Sequence, residues 1–263
     1  MNRIPRWKIS WRFIRVWQRN LRVYQRIWKI NFLPPLLEPL LYILAFGIGF
    51  GGLIGKISYH HMELSYVAFI TPALLAINIM YNAFFENTYA SFVRMYYQKT
   101  FDALLATPLS LEEVITGEII WGATKSVIAT VIMQAALSLF GLIAYPHGLL
   151  IIPLAFLGGI AFGSIGMLCT GIVPSIDMFN LPLFLFITPM FLFSGTFFPI
   201  DNLPQWAKAL SLLFPLTHLV HIVRRLSLGM IDVGLLWQVG YLIVFSLIFF
   251  PLGLFAMHQR LIK

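Results

Sequence analysis

The chain has 263 residues, 59% of them hydrophobic and only 11% charged, with a mean hydropathy of +0.85. Soluble domains carry about 25% charged residues, so a soluble enzyme, a disulfide-framed secreted module and a disordered chain are excluded, and a polytopic membrane protein is expected. The net charge of +8 is local: residues 1–30 hold nine Lys/Arg and no acid, leaving nine basic against ten acidic residues elsewhere. That distribution points to an anionic membrane face as partner and not to nucleic acid.

The N-terminus does not have the pattern of a signal peptide, because the basic residues persist to Lys29 without yielding to an apolar core. Lys8, Arg12, Arg15, Arg19, Arg22, Arg26 and Lys29 recur at steps of three and four, which places them within an arc of roughly 100° on a helix. Phe13, Ile14, Trp17, Leu21, Tyr24 and Trp28 fall on the other side. A basic stripe backed by an aromatic face predicts a helix lying in the membrane interface; a solvated basic helix is the alternative, and it leaves the aromatic face unexplained. Pro34 and Pro35 are expected to end this helix and turn the chain into the bilayer.

Six spans are expected, at about 35–54, 64–86, 121–144, 149–173, 178–198 and 233–257. The longest uncharged stretches, 51 residues between Lys125 and Asp177 and 27 between Asp232 and Arg260, each exceed the roughly 20 residues that cross a bilayer. With the N-terminus inside, inner segments hold 14 Lys/Arg and outer segments four (Lys56, Lys208, Arg224, Arg225), so both ends are expected in the cytoplasm. The inner connection, 87–120, carries a short run Thr100–Ala106 stopped by Thr107-Pro108, followed by a helix capped by Ser110 with Glu112 and Glu113 in its first turn. The outer connection, 199–232, is too apolar for a free loop. Leu203, Trp206, Leu210 and Leu213 share a face and Pro215 interrupts, which predicts two short re-entrant helices.

Few residues suit covalent chemistry. Gly51 to Ile57 resembles a phosphate-binding loop, yet Phe50 and Ile57 stand where Gly and Ser/Thr are required, so no nucleotide site is expected in this chain. His60-His61 and His218-x-x-His221 are the only close histidine pairs, and no Cys or carboxylate completes a tetrahedral metal set nearby, so no metal site is expected. The single cysteine, Cys169, has no intrachain partner and reads as a small packing residue. Within the spans, Glu38 beside Pro39 and the stripe Thr71, Asn78, Asn82, Glu86 must face protein or water. They serve either as interhelical hydrogen bonds or as one wall of a translocation path. Ala155, Gly159 and Gly163 recur at steps of four, allowing close packing within the chain or against a second copy. The two halves show no internal repeat, which gives no support to an inverted-repeat transporter.

The basic arm, six spans, the inner segment Thr100-Phe101-Asp102-Ala103-Leu104-Leu105-Ala106-Thr107-Pro108 and the outer segment Phe193-Ser194-Gly195-Thr196-Phe197-Phe198-Pro199 resemble the membrane subunit of type-2 ATP-binding-cassette (ABC) exporters. Asp201-Asn202-Leu203-Pro204 and Pro215-Leu216-Thr217-His218, closed by Arg224, add to the likeness. Glu38-Pro39-Leu40-Leu41-Tyr42, Phe85-Glu86-Asn87-Thr88-Tyr89 with Arg94-Met95, Gly117-Glu118 and Ala123-Thr124-Lys125 are similar to the nodulation-factor, or lipo-oligosaccharide, exporter permeases. The resemblance implies an all-α integral membrane protein with an N-terminal arm (1–33) and a six-span domain (34–263). It implies a homodimer in a bacterial inner membrane, served by two copies of a separate cytoplasmic ATPase that holds the ATP and Mg. Thr100 to Pro108 would be the ATPase-coupling helix, with Asp102 meeting a basic group and Leu104 and Leu105 an apolar slot; a plain solvated loop is the alternative. Ser194, Gly195, Phe198, Pro199, Pro215, His218 and Arg224 would belong to an outer gate. The implied substrate is an amphipathic lipo-oligosaccharide or lipid-linked glycan, with a drug or another lipid as alternative within the family. A membrane scaffold or lipid-modifying enzyme is the alternative outside it.

Overall fold

The computed structural model describes residues 9–50, 55–59 and 62–262. Lys8, Gly51 to Ile54, His60, His61 and Lys263 lie outside the described residues, and with them one stripe residue, most of the Gly-rich loop and one histidine pair. Helix α1 (Phe13–Arg26) runs beside the bundle. Helix α2 (Trp28–Tyr42) opens the first span, which reaches Gly47. A two-stranded antiparallel hairpin, β1 (Lys56–Tyr59) and β2 (Met62–Ser65), pairs Lys56 with Ser65 and Tyr59 with Met62. Helix α3 (Tyr66–Phe85) continues through π-helical turns at Glu86–Ala90 and Val93–Tyr97. After it come α4 (Thr100–Leu105), α5 (Leu111–Ser138) and α6 (Ile151–Ile172). An irregular fifth span, α7 (Ile176–Phe193), precedes α8 (Gln205–Leu212), α9 (Pro215–Ser227) and α10 (Gly234–Leu261).

Six of these helices are long and apolar enough to cross a membrane, as expected, and α8 with α9 forms a pair bent by 87°. The second span is the centre of the bundle, 78% buried against 11% for the first. One apolar cluster joins α3, α5, α6 and α9 through residues such as Leu75, Ile79, Leu154 and Leu219. A second gathers Val16, Phe92, Phe101, Ile115, Phe179 and Met257 at the end of the bundle that carries α4.

Two expected boundaries move. Pro34 and Pro35 do not end the first helix: both lie inside α2, and the break comes at Ile27 (φ −117°, ψ 21°). The arm therefore stops at Arg26, and Trp28 opens the first span. Prolines are tolerated inside membrane helices where neighbours re-satisfy the freed carbonyls, and Pro35 and Pro39 are buried against the bundle. The inner connection expected at 87–120 shrinks to residues 98–110, since α3 and its π-turns reach Tyr97 and α5 starts at Leu111. Of the charges that made this stretch look like loop, Arg94 and Glu118 are paired with each other inside the bundle, as described below.

Local signals held where they were strong. Ser110 Oγ accepts from Glu113 N at 3.2 Å while Glu113 Oε2 accepts from Ser110 N at 2.9 Å, a complete capping box on α5. The small-residue stripe of α6 packs within the chain: a Cβ on Gly159 would come within 2.6 Å of Ala123 Cα, and one on Gly163 within 2.8 Å of Asn87 Nδ2. The aromatic side of α1 also meets protein. Val16 packs on Gly117 of α5, where a Cβ would approach to 2.6 Å. Trp17 Nε1 donates to Thr124 Oγ1 at 2.9 Å, and the Tyr24 and Trp121 rings lie 5.6 Å apart.

Candidate functional site

Between α1, α2, α3 and α5 lies a cavity of about 650 Å³. It brings together four of the five residues expected along a path: Glu38, Asn78, Asn82 and Glu86 line it. Thr71 does not; it is buried two turns away on α3. The Tyr42 hydroxyl donates to Glu38 Oε1 at 2.7 Å, Asn78 Nδ2 to Glu38 Oε2 at 2.9 Å, and Asn82 Nδ2 to Asn78 Oδ1 at 3.1 Å. This donor chain runs across the first and second spans and ends on the Glu38 carboxylate, which keeps lone pairs to spare.

Glu86 anchors a second network. Its Oε1 accepts from Arg94 Nη1 at 2.8 Å and from Trp121 Nε1 at 3.0 Å, and its Oε2 from Lys125 Nζ at 2.9 Å. Arg94 Nε donates to Glu118 Oε2 at 2.8 Å, Ser91 Oγ donates to the same oxygen at 2.9 Å, and Asn20 Nδ2 to Glu118 Oε1 at 2.8 Å. Two carboxylates and two cations cancel, which is the condition for holding charge at low dielectric. The π-turns let this happen, because a wider helical turn at Glu86–Ala90 leaves Ser91 Oγ donating to the Glu86 carbonyl at 3.1 Å and Arg94 reaching back to Glu86. Sequence reasoning singled out Glu86 and missed Arg94, Trp121 and Lys125 as its partners, and Glu118 with Asn20 as the other half of the network. The spacings Glu86 to Arg94 and Glu118 to Lys125, each about two helical turns, were the available signal.

Directly beyond this network stands α4. Lys99 adopts a left-handed conformation (φ 54°) that reverses the chain into it. Phe101 is fully buried in the cluster at this end, and Leu104 and Leu105 are half-buried against the same cluster rather than turned wholly outward. Asp102, Ala103, Thr107 and Pro108 are exposed. Thr107 Oγ1 donates to Leu104 O at 2.6 Å, and Nη1 of Arg12, the residue before α1, donates to Pro108 O at 2.9 Å. Arg15, Arg22 and Arg26 are exposed on the far side of α1, whereas Arg19 is half-buried and donates to Asn20 Oδ1 at 2.8 Å. Burial lowers the Arg19 pKa from its ordinary value, with Glu118 acting against that.

The residues expected at an outer gate cluster at the opposite end, beside the β-hairpin. Arg224 is buried, its Nε donating to Phe69 O at 3.0 Å and its Nη2 to Gly195 O at 2.8 Å. Its guanidinium lies 3.9 Å from the Phe69 ring centre and 5.6 Å from that of Tyr59. Gly195 has φ +70°, and Ser194 Oγ sits 3.1 Å from Thr217 Oγ1. His218 Nε2 meets Leu212 O at 2.9 Å and its ring faces Tyr241, while His221 Nδ1 meets the Gln238 amide. Pro215 opens α9 after the bend; Pro199 opens a 3-10 turn, and Phe198 is exposed.

Residues 12–228 match the ABC-2 type transporter family. The chain is 31% identical to Nodulation protein J of Sinorhizobium fredii over 96% of this chain and 95% of that protein. It is 33% identical to Nodulation protein J of Rhizobium leguminosarum bv. trifolii over 99% and 97%. To the inner membrane transport permease YadH of Escherichia coli K12 it is 27% identical over 89% and 90%. Six helices long and apolar enough to cross a membrane and a family match over residues 12–228 place this chain among the membrane permeases of the ABC-2 type transporter family.

Proposed function

We propose that this permease is the membrane half of an ATP-driven exporter in a bacterial inner membrane. It works as a homodimer with two copies of a separate cytoplasmic ABC ATPase, which binds the ATP and Mg that this chain does not. Both termini and α4 face the cytoplasm. The observation that carries the reading is the placement of α4: a six-residue helix anchored by Phe101 and exposing Asp102, Ala103, Thr107 and Pro108. It stands beside an ion network that reaches the cavity wall at Glu86. A short helix fixed at its base passes a rigid-body push to the spans it joins. Asp102 meets a basic group of the ATPase, and Leu104 and Leu105 stiffen the helix from this side. The cavity at Glu38, Asn78, Asn82 and Glu86 takes the polar head of an amphipathic substrate, a lipo-oligosaccharide or lipid-linked glycan, while the elements around Arg224 close the far exit. The basic face of α1 rests on anionic lipid.

Gentle purification of the tagged chain from its own membrane tests this. An ATPase subunit is expected to accompany it in equal number, and Ala103→Arg, an exposed change on α4, is expected to release that subunit while the permease stays folded and inserted. Purification that never yields a nucleotide-binding partner overturns the reading.

A further inference from the structure

The α3 wall of the cavity carries two parallel ladders. Asn78, Asn82 and Glu86 form the polar one, each four residues from the next, joined to Glu38 through Asn78. Tyr81, Phe85 and Tyr89 form an aromatic one three residues on, and all three line the same cavity. The Tyr81 and Phe85 rings stack at 5.4 Å with 16° between planes, and Phe85 and Tyr89 follow at 5.8 Å. At the π-turn after Phe85 the row turns: the Tyr89 ring is tilted by 48° to that of Phe85 and also meets Phe179 at 5.1 Å. Eight residues of helix make the row about 12 Å long, longer than a single six-membered ring. Across the cavity stand Tyr24 and Trp121. Among the described residues Asn82 Oδ1 and the Tyr81 hydroxyl make no hydrogen bond, so both are open to a ligand in the cavity.

The lining selects a ligand class. An acyl chain gains nothing from Glu38, Asn78 and Asn82 and would leave them without water. A cavity suited to acyl chains exists elsewhere in the protein: about 660 Å³ between α6, α9 and α10, lined by residues such as Leu150, Leu154, Ile222 and Val239. A small ion needs no aromatic row. A molecule with flat C–H faces and hydroxyl edges needs both ladders, the rings for its faces and the amides and carboxylate for its edges. We infer that the α3 wall is a saccharide-binding track, on which Tyr81, Phe85 and Tyr89 stack against successive pyranose rings while Glu38, Asn78 and Asn82 bind their hydroxyls. The inference rests on the export reading for its physiological ligand, the glycan head of the substrate, and assigns the residues that read that head.

Titration calorimetry of the full chain in phospholipid nanodiscs tests it, with tetramers of β-1,4-linked glucose and of β-1,4-linked N-acetylglucosamine as probes and with glucose and decyl phosphate as comparators. At least one tetramer is expected to bind saturably and about tenfold or more tighter than glucose, because several rings engage the row at once. Phe85→Leu is expected to weaken that binding about five- to tenfold, the size of one lost stacking contact. Phe85→Trp, which restores a ring, keeps it, so a general packing defect is distinguished from a lost platform. Asn82→Leu is expected to weaken binding by a similar factor. Tetramer binding that ignores both Phe85→Leu and Asn82→Leu, or decyl phosphate displacing the tetramer from this wall, overturns the track. A chain that recruits its ATPase and binds neither tetramer also overturns the track and leaves the export reading standing. Binding that follows the ladder in a chain with no ATPase partner supports the track and removes the export reading.

Discussion

Arg94 and Glu118 meet inside the bundle, the Arg94 Nε donating to Glu118 Oε2 across 2.8 Å, although 24 residues separate them in the chain. The same guanidinium holds Glu86. Removing it leaves two buried carboxylates facing each other with only Lys125, Trp121, Ser91 and Asn20 to answer them. Arg94→Met is therefore expected to lower stability by about 3–5 kcal/mol, the range for breaking a buried pair from one side. Arg94→Met with Glu118→Gln removes the orphaned charge as well and is expected to recover part of the loss. Thermal unfolding of the detergent-purified chain reads both. Equal midpoints for the single and double variants would mean that the two groups are not coupled.

The contact between α1 and α5 is narrow enough to be tested by one methyl group. Gly117 leaves no room for a Cβ, which would lie 2.6 Å from Val16 Cβ and 2.9 Å from Phe13 O. Gly117→Ala is expected to push α1 away at a cost of about 1–3 kcal/mol, the usual range for overpacking. The displaced helix then offers Arg15 and Arg22 to trypsin faster than the native one does. Pairing Gly117→Ala with Val16→Gly removes the Cβ that lies nearest and is expected to restore part of the protection. Cleavage at the native rate in Gly117→Ala would show that α1 does not depend on this approach.

Much of this architecture could be read from composition and short-range pattern, because both act locally. Six apolar stretches gave six helices, and Ser110 with Glu113 gave a capping box three residues wide. The path residues Asn78, Asn82 and Glu86 were visible as polar groups at helical spacing in an apolar run, and they line the cavity. What local pattern could not show was pairing at a distance. Lys125 reaches Glu86 across 39 residues and Arg94 reaches Glu118 across 24, and while Arg94 and Glu118 are counted as isolated charges, the stretch between 87 and 120 looks like loop. The same limit hid the docking of α1: an aromatic face backed by arginines has one sequence signature whether lipid or another helix covers it. Pro34 and Pro35 misled for a related reason, since their cost in a helix depends on what satisfies the neighbouring carbonyls.

With its aromatic side on α5, helix α1 turns Arg15, Arg22 and Arg26 outward. Each basic residue near an anionic surface contributes about 1 kcal/mol of attraction. Replacing the three by Gln is expected to raise hydrogen exchange along residues 13–26 in nanodiscs containing anionic lipid and to leave it unchanged in neutral ones. Arg19 is kept in this variant because its contacts run inward, to Asn20. Equal exchange of the native and variant arms in anionic nanodiscs would remove lipid contact as the role of this stripe.

Arg224 makes the opposite end of the molecule testable in the same way. Its guanidinium ties α9 to two other segments through backbone carbonyls: Phe69 of α3 at 3.0 Å, and Gly195 at 2.8 Å and Thr196 at 3.5 Å in the turn after α7. A planar fork can serve all three, whereas a lysine ammonium on a thinner stem cannot reproduce that geometry. Arg224→Met leaves these buried carbonyls without their donor, a cost of about 1–3 kcal/mol for each group stranded, and the turn is expected to loosen before the bundle unfolds. Ser194, fully buried in that turn, reports the change. In a Cys169→Ser background, Ser194→Cys is expected to resist maleimide in the otherwise native chain and to react in the Arg224→Met variant. Arg224→Lys should fall between them, since it retains the charge and loses the fork. Labelling that stays slow in both variants would show that the turn is held by its own packing, by Thr217 beside Ser194 and by Ile200 over Gly195, and that Arg224 is not its fastening.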